Sequence, residues 1–285
     1  MEFLEILEDA ALDTLKLIPF LFITYIIMEY IENKMSGKMK DKIQKSGKFG
    51  PLVGSLVGVL PQCGFSASAT NLYASRIISI GTLLAVYLST SDEMIPIFLS
   101  SSMPITLMFK ILFIKLVLGI VCGFLVDFIF KKVKFNSSEE NKVDLCEEEH
   151  CHCHENGIIR ASLKHTLNIT IYIFIITLII NLVIGLVGEE TIENFISQNN
   201  FLGPIIASLI GLIPNCAASV IITNLYIENV INISSLIAGL LTGAGVGLIV
   251  LFRTNKKNIK ENLGIVGLLY CIGVFSGWII GLIGI

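Results

Sequence analysis

Charge is what this sequence has little of. Only 15% of its 285 residues are Asp, Glu, Lys or Arg, while 54% are hydrophobic, against about 25% charged in an ordinary soluble domain. Mean hydropathy is +0.80. Segments 171–187 and 263–285 carry no charge at all. A chain of this length would suggest two soluble domains, but too few charges remain to keep two surfaces in water. The shortage excludes a soluble enzyme, a nucleic-acid binder and a disordered protein, and leaves an all-α polytopic membrane protein. Other absences narrow the chemistry. The acidic first residues Glu2, Glu5 and Glu8 predict no cleavable signal peptide with a basic start. No G-x-x-x-x-G-K-[ST] loop occurs, so no built-in ATPase is expected. The seven cysteines are unevenly placed, lack a C-x-x-C pair, and do not form the framework of a secreted disulfide protein.

The charges that are present mark topology. Three basic stretches hold most of the Lys and Arg: Lys34 to Lys48, Lys131 to Lys164, and Arg253 to Lys260. The positive-inside rule places all three in the cytoplasm. Segments 1–13 and 188–200 hold acids, including Glu189, Glu190 and Glu193, without Lys or Arg, and are expected outside.

The chain also repeats itself. At a shift of 153 residues, Gly50-Pro51 falls on Gly203-Pro204, Pro61 on Pro214, Cys63 on Cys216, and Thr70-Asn71-Leu72-Tyr73 on Thr223-Asn224-Leu225-Tyr226. Of the 39 pairs from Gly50/Gly203 to Leu88/Leu241, 17 are identical. A closing helix follows each copy, near 105–130 and 263–285, with Gly119 and Gly123 matching Gly273 and Gly277. The expected divisions are a first repeat, 1–130, a cytoplasmic linker, 131–164, and a second repeat, 165–285. The first half begins outside and the second inside, so the charge pattern predicts two inverted five-element repeats. In secondary transporters such repeats enclose a midplane substrate site.

Each repeat should hold a re-entrant or broken helical hairpin. The run from Leu52 to Leu60 is too short to cross about 30 Å of hydrocarbon at 1.5 Å per residue. It stops at Pro61-Gln62-Cys63-Gly64, and Pro214-Asn215-Cys216-Ala217 repeats the pattern. Each proline removes a donor and clashes with the carbonyl four residues back. The freed carbonyls suit a cation, and the next helix start suits a thiolate. A plain proline kink in a continuous helix is the competing interpretation. Arg76 predicts a return of the chain to the cytoplasmic side.

Between Ile80 and Ser101 the middle reads Ser89-Thr90-Ser91-Asp92-Glu93, whereas the second half has Thr242-Gly243-Ala244-Gly245-Val246. Adjacent acids within a membrane are costly and mark an ion or proton site. An external loop between two shorter helices is the alternative. Lys115 is either a counter-ion to Asp92 or Glu93 or a snorkelling side chain. Asp127 falls near a segment end and is expected to be solvated. Cys122 and Cys271 are expected in packing. The linker carries Cys146, His150, Cys151, His152, Cys153 and His154, soft donors suited to zinc, cobalt, nickel or copper in a loading or sensing loop. The alternative there is a solvated linker.

At Pro61-Gln62-Cys63-Gly64-Phe65, Thr90-Ser91-Asp92-Glu93, Pro214 to Ser219 and Gly243 to Gly247, the sequence resembles bacterial ten-transmembrane heavy-metal exporters. These are commonly described as manganese transporters and are distantly linked to arsenic permeases. The resemblance implies metal-ion transport across the cytoplasmic membrane. From the residues, the candidate site comprises Gln62, Cys63, Ser89, Asp92, Glu93, Asn215, Cys216, Gly243 and Gly245. Oxygen donors suit manganese, and the two thiols suit zinc, cadmium or iron. The expected partners are a transported divalent metal, the bilayer, and a proton or sodium coupling ion, with no tightly bound cofactor. A homo-oligomer is compatible with this. An arsenite or organoarsenical permease and a membrane thiol redox protein are the alternatives.

Overall fold

The computed structural model describes residues 47–60, 63–91, 94–101, 103–132, 158–187 and 201–283, with scattered positions between 7 and 26. Among the described residues every regular element is helical. Helices α1 (Gly50–Gly58), α2 (Cys63–Ala74), α3 (Ile80–Ser89), α4 (Met94–Ser100) and α5 (Ile105–Lys132) make up the first set. After α6 (Ile158–Val187) come α7 (Gly203–Gly211), α8 (Cys216–Ile227), α9 (Ile233–Thr242), α10 (Gly247–Thr254) and α11 (Ile259–Ile283). Among the described residues, five stretches are long and apolar enough to cross a membrane: Ile80–Leu99, Ile105–Phe130, Ser162–Ile179, Ile233–Thr254 and Lys256–Ile283. The protein is a multi-pass helical membrane protein. Helix α6 begins seven residues ahead of position 165, where the second repeat is expected to start, so Arg160 and Lys164 lie in its opening turns.

Local sequence dictates the same boundaries twice. Pro51 and Pro204 open α1 and α7, where a missing N–H costs nothing. The ends of α2 and α8 share a cap: Ile77 N donates to Leu72 O at 2.9 Å, and Val230 N to Leu225 O at 2.9 Å. The residue before each of these donors, Arg76 (φ 59°) or Asn229 (φ 61°), is left-handed, as this cap requires. Ser79 and Asn232 then cap the next helices, accepting from Thr82 N at 3.1 Å and Ser235 N at 2.8 Å. Asp127 reinforces the first of these caps rather than facing solvent. Its carboxylate accepts from Gly81 N at 2.9 Å and Ser79 Oγ at 2.7 Å, a favourable place for negative charge.

Packing repeats with the sequence. Helices α1, α3 and α5 form one tight triple, and α7, α9 and α11 the other. A Cβ at Gly58 would lie 2.6 Å from Val86 O, and one at Gly211 would lie 2.2 Å from Gly239 O. Likewise, a Cβ at Gly119 would meet Ala85 O at 3.0 Å, and one at Gly273 would meet Ala238 O at 3.0 Å. The backbones therefore touch where side chains would hold them apart. Between the triples the short helices cross over: α2 packs on α10, and α8 on α4. One buried cluster, including Tyr73, Leu84, Leu88, Leu241, Leu248, Ile265 and Leu269, runs through both halves. Outward faces of α5 and α11 expose Phe109, Phe113, Phe128, Phe275 and Ile279, as lipid contact demands.

Candidate functional site: a junction of four helix breaks

Among the described residues the helices break at four places, between α1 and α2, α3 and α4, α7 and α8, and α9 and α10. A proline kink in continuous helix is thus ruled out, since α1 and α2 are separate helices, as are α7 and α8. At the end of α3, Thr90 and Ser91 are only 3% and 2% exposed, so the described part of the α3–α4 break is enclosed by protein. Thr90 turns out of the helix at ψ 126°. Met94 N then donates to Ser91 O at 3.1 Å, which leaves the Thr90 carbonyl without its helical donor. The α9–α10 break repeats this turn, with Gly247 N donating to Ala244 O at 3.2 Å. There Ala244 N donates to Thr242 O at 2.9 Å and so releases the carbonyl of Leu240. Gly245, at φ 53°, supplies the left-handed step that a side chain would strain.

Polar side chains tie these breaks together. Ser91 Oγ donates to Val59 O at 2.6 Å, joining the α3–α4 break to the end of α1. Lys115 does not snorkel; it is 1% exposed, and its Nζ donates to Thr90 O and, at 2.7 Å, to Leu240 O. Thr70 Oγ1 donates to Ser66 O at 2.7 Å and lies 2.5 Å from Tyr87 OH, which can donate to it, and both hydroxyl oxygens lie 3.2 Å from Gly247 O. Asn71 is wholly buried, and neither its amide nitrogen nor its amide oxygen has a partner among the described residues.

The expected site residues divide as follows. Cys63 opens α2, and Asn215 and Cys216 mark the start of α8, where they are 3% and 7% exposed. Cys216 belongs to one buried cluster with Ala67 of α2 and Val246 of the α9–α10 break, so the second hairpin tip reaches the first half. Ser89 faces inward, but its Oγ donates to Ala85 O at 2.8 Å and to Val86 O at 3.1 Å beside Gly58. It seals a helix contact. Gly243 ends α9 with its backbone at the junction. Gln62, Asp92, Glu93 and the whole cluster of Cys146, His150, Cys151, His152, Cys153 and His154 lie outside the described residues. Among the described residues no three His, Cys, Asp or Glu side chains converge. Cys122 is half-buried and packs against the core, whereas Cys271 is exposed on α11.

Sequence reasoning missed Thr70, Asn71 and Tyr87 as parts of the junction. Tyr87 corresponds at the repeat shift to Leu240, so a polar-for-apolar difference was available as a signal. It also missed a second tie between the halves. Arg76 pairs with Glu261 through two bonds, Nη1 to Oε1 at 2.6 Å and Nη2 to Oε2 at 3.0 Å, and Tyr73 OH donates to the same carboxylate.

No curated protein and no solved structure matches the chain. Residues 3–193 and 158–284 match the family described as "Putative, 10TM heavy-metal exporter". These matches span nearly the whole chain and accord with its apolar helices, and the protein belongs to that family of membrane heavy-metal exporters.

Proposed function

We propose that the protein is a secondary transporter that exports a divalent transition-metal ion, with manganese the leading candidate, through a site between two inverted halves. The observation that carries this reading is the burial of Thr90 and Ser91 at a helix break, directly before Asp92-Glu93. Main chain out of helical pairing is tolerated within a membrane only where protein or a water-filled cavity surrounds it. Carboxylates there need a cation or proton partner. Asp92 and Glu93 would hold the metal, with amides from Gln62 and Asn215, thiols from Cys63 and Cys216, and backbone oxygens around Gly243 and Gly245 completing the shell. Coupling falls to a proton or sodium ion.

On this reading the basic stretches face the cytoplasm, the membrane is the cytoplasmic one, and no catalytic step is required. The linker donors Cys146 to His154 would load or sense metal on the cytoplasmic side. The deciding experiment is flux into proteoliposomes of manganese, zinc, cadmium and arsenite, for the wild type and Asp92→Asn. Manganese flux should be lost in Asp92→Asn. Arsenite flux that survives this substitution would instead favour a permease using the thiols.

A further inference from the structure

Five described residues bury side-chain oxygens or nitrogens that meet no hydrogen-bond partner: Asn71, Ser75, Thr170, Thr177 and Ser208. Ser208 lies on α7, within a glycine triple. The other four gather at two helices: Asn71 on α2, Ser75 just past its end, and both threonines on α6. Asn71 and Thr177 are 0% and 2% exposed, so bulk solvent does not serve them. Buried polar atoms are ordinarily paired with protein or with ordered water, and four such side chains together call for an occupant.

Helix periodicity gives the four a common surrounding. Asn71 lies one turn beyond Ala67, and Ser75 N donates to Asn71 O one turn further on. On α6, Thr170 and Thr177 stand three and four residues to either side of Ile173. Ala67, Ile169 and Ile173 share one buried cluster, which also takes in Cys216 at the second hairpin tip, and α10 packs against both α2 and α6. The unpartnered atoms therefore border a seam that ends at a candidate metal-site thiol. They are also chemically alike: one amide and three hydroxyls, each able to donate and to accept, none charged. Such groups serve water, or the water shell of an ion, without gripping the ion itself. The repeat keeps this face polar in its second copy, where Asn224 and Glu228 match Asn71 and Ser75 and are exposed on and just after α8.

We propose that the seam between α2 and α6 is a water-filled passage that leads a hydrated cation to Cys216, with Asn71, Ser75, Thr170 and Thr177 as its hydrogen-bonding wall. That the cation is the transported metal rests on the exporter reading above; the water in the seam does not.

The test treats full-length protein in permeabilised membranes with a trimethylammonium methanethiosulfonate, whose head group is comparable in size to a hydrated divalent ion, and reads each position by mass spectrometry. A thiol reacts as its thiolate, which needs water around it. Asn71→Cys, Thr170→Cys and Thr177→Cys should react at least about tenfold faster than Leu84→Cys and Ile222→Cys, fully buried positions in the other two apolar clusters. The threonine replacements keep the side-chain size, so they report even where Asn71→Cys fails to fold. Reaction at the passage positions no faster than at the controls overturns the proposal. Flux into proteoliposomes then shows whether the ion uses the water. Asn71→Leu should cut metal flux about tenfold without lowering the melting temperature, and Asn71→Ser should retain most of it. Wild-type flux through Asn71→Leu overturns the passage even where the thiols react. Absence of metal flux in the wild type removes the exporter reading, and the labelling still decides the water-filled seam.

Discussion

Arg76 and Glu261 fasten the first half to the second outside the helix junction. Their side chains are 14% and 28% exposed, so the pair is partly desolvated, and its two parallel hydrogen bonds fix the geometry. Glu261→Gln or Arg76→Ala should each lower stability by about 1–3 kcal/mol. The double reversal Arg76→Glu with Glu261→Arg should recover part of the loss seen with Arg76→Glu alone, read as a melting shift. No recovery would mean that the two residues act separately. Asn71 predicts the opposite sign. Its buried amide has no partner among the described residues, so Asn71→Leu should leave stability unchanged or raise it. A fall of more than about 1 kcal/mol would reveal a hydrogen bond to that amide. At this scale Lys115 was partly legible. Ile111, Lys115, Gly119 and Gly123 recur every four residues, which places the lysine on the glycine-bearing face of α5 rather than on the lipid face of Phe113 and Val121. Its carbonyl partners were not legible, because one lies in the other half of the chain.

Helix contacts made through glycine give the element scale its predictions. Gly58→Ala would put a Cβ 2.1 Å from Ser89 Oγ and 2.6 Å from Val86 O, and Gly211→Ala one 2.2 Å from Gly239 O. Because backbone cannot move aside locally, each should cost about 1–3 kcal/mol. Gly264 and Gly267, on α11, have nothing within 4 Å of a built Cβ. Gly264→Ala and Gly267→Ala should be neutral or stabilising by up to about 1 kcal/mol, since alanine is the better helix former. Equal losses at all four positions would show that general helix propensity, not close approach, governs these sites. The boundaries of α1, α2, α7 and α8 were legible because Gly-Pro and Pro-x-Cys are local signals. The division of the 80–101 stretch into α3 and α4 was visible only as a polar interruption. Its placement inside the protein follows from the tertiary contact of Ser91 with Val59, and no sequence periodicity encodes that contact.

For the whole molecule, the proposed inversion of the two halves predicts a labelling pattern. Glu228 and Lys257 are both exposed; the first follows α8, and the second precedes α11. In a background without other cysteines, Lys257→Cys should react with an impermeant thiol reagent from the cytoplasmic side and Glu228→Cys from the outside. Reaction of both from one side would refute the inversion. The repeat itself was readable from aligned Pro, Cys, Asn and Tyr, and its contacts recur pair by pair. The exchange of short helices was not readable, since α2 on α10 and α4 on α8 are matched by shape across more than a hundred residues of chain.

That exchange has a consequence for biosynthesis. Each half can seal its own glycine triple as it leaves the ribosome, α1 with α3 and α5, then α7 with α9 and α11. Helices α2 and α4, however, find their partners α10 and α8 only after the second half has been made. The first half should therefore wait in the membrane with two unmatched short helices. A chain severed within residues 133–157 should reassemble from separately expressed pieces, whereas the first piece alone should be degraded.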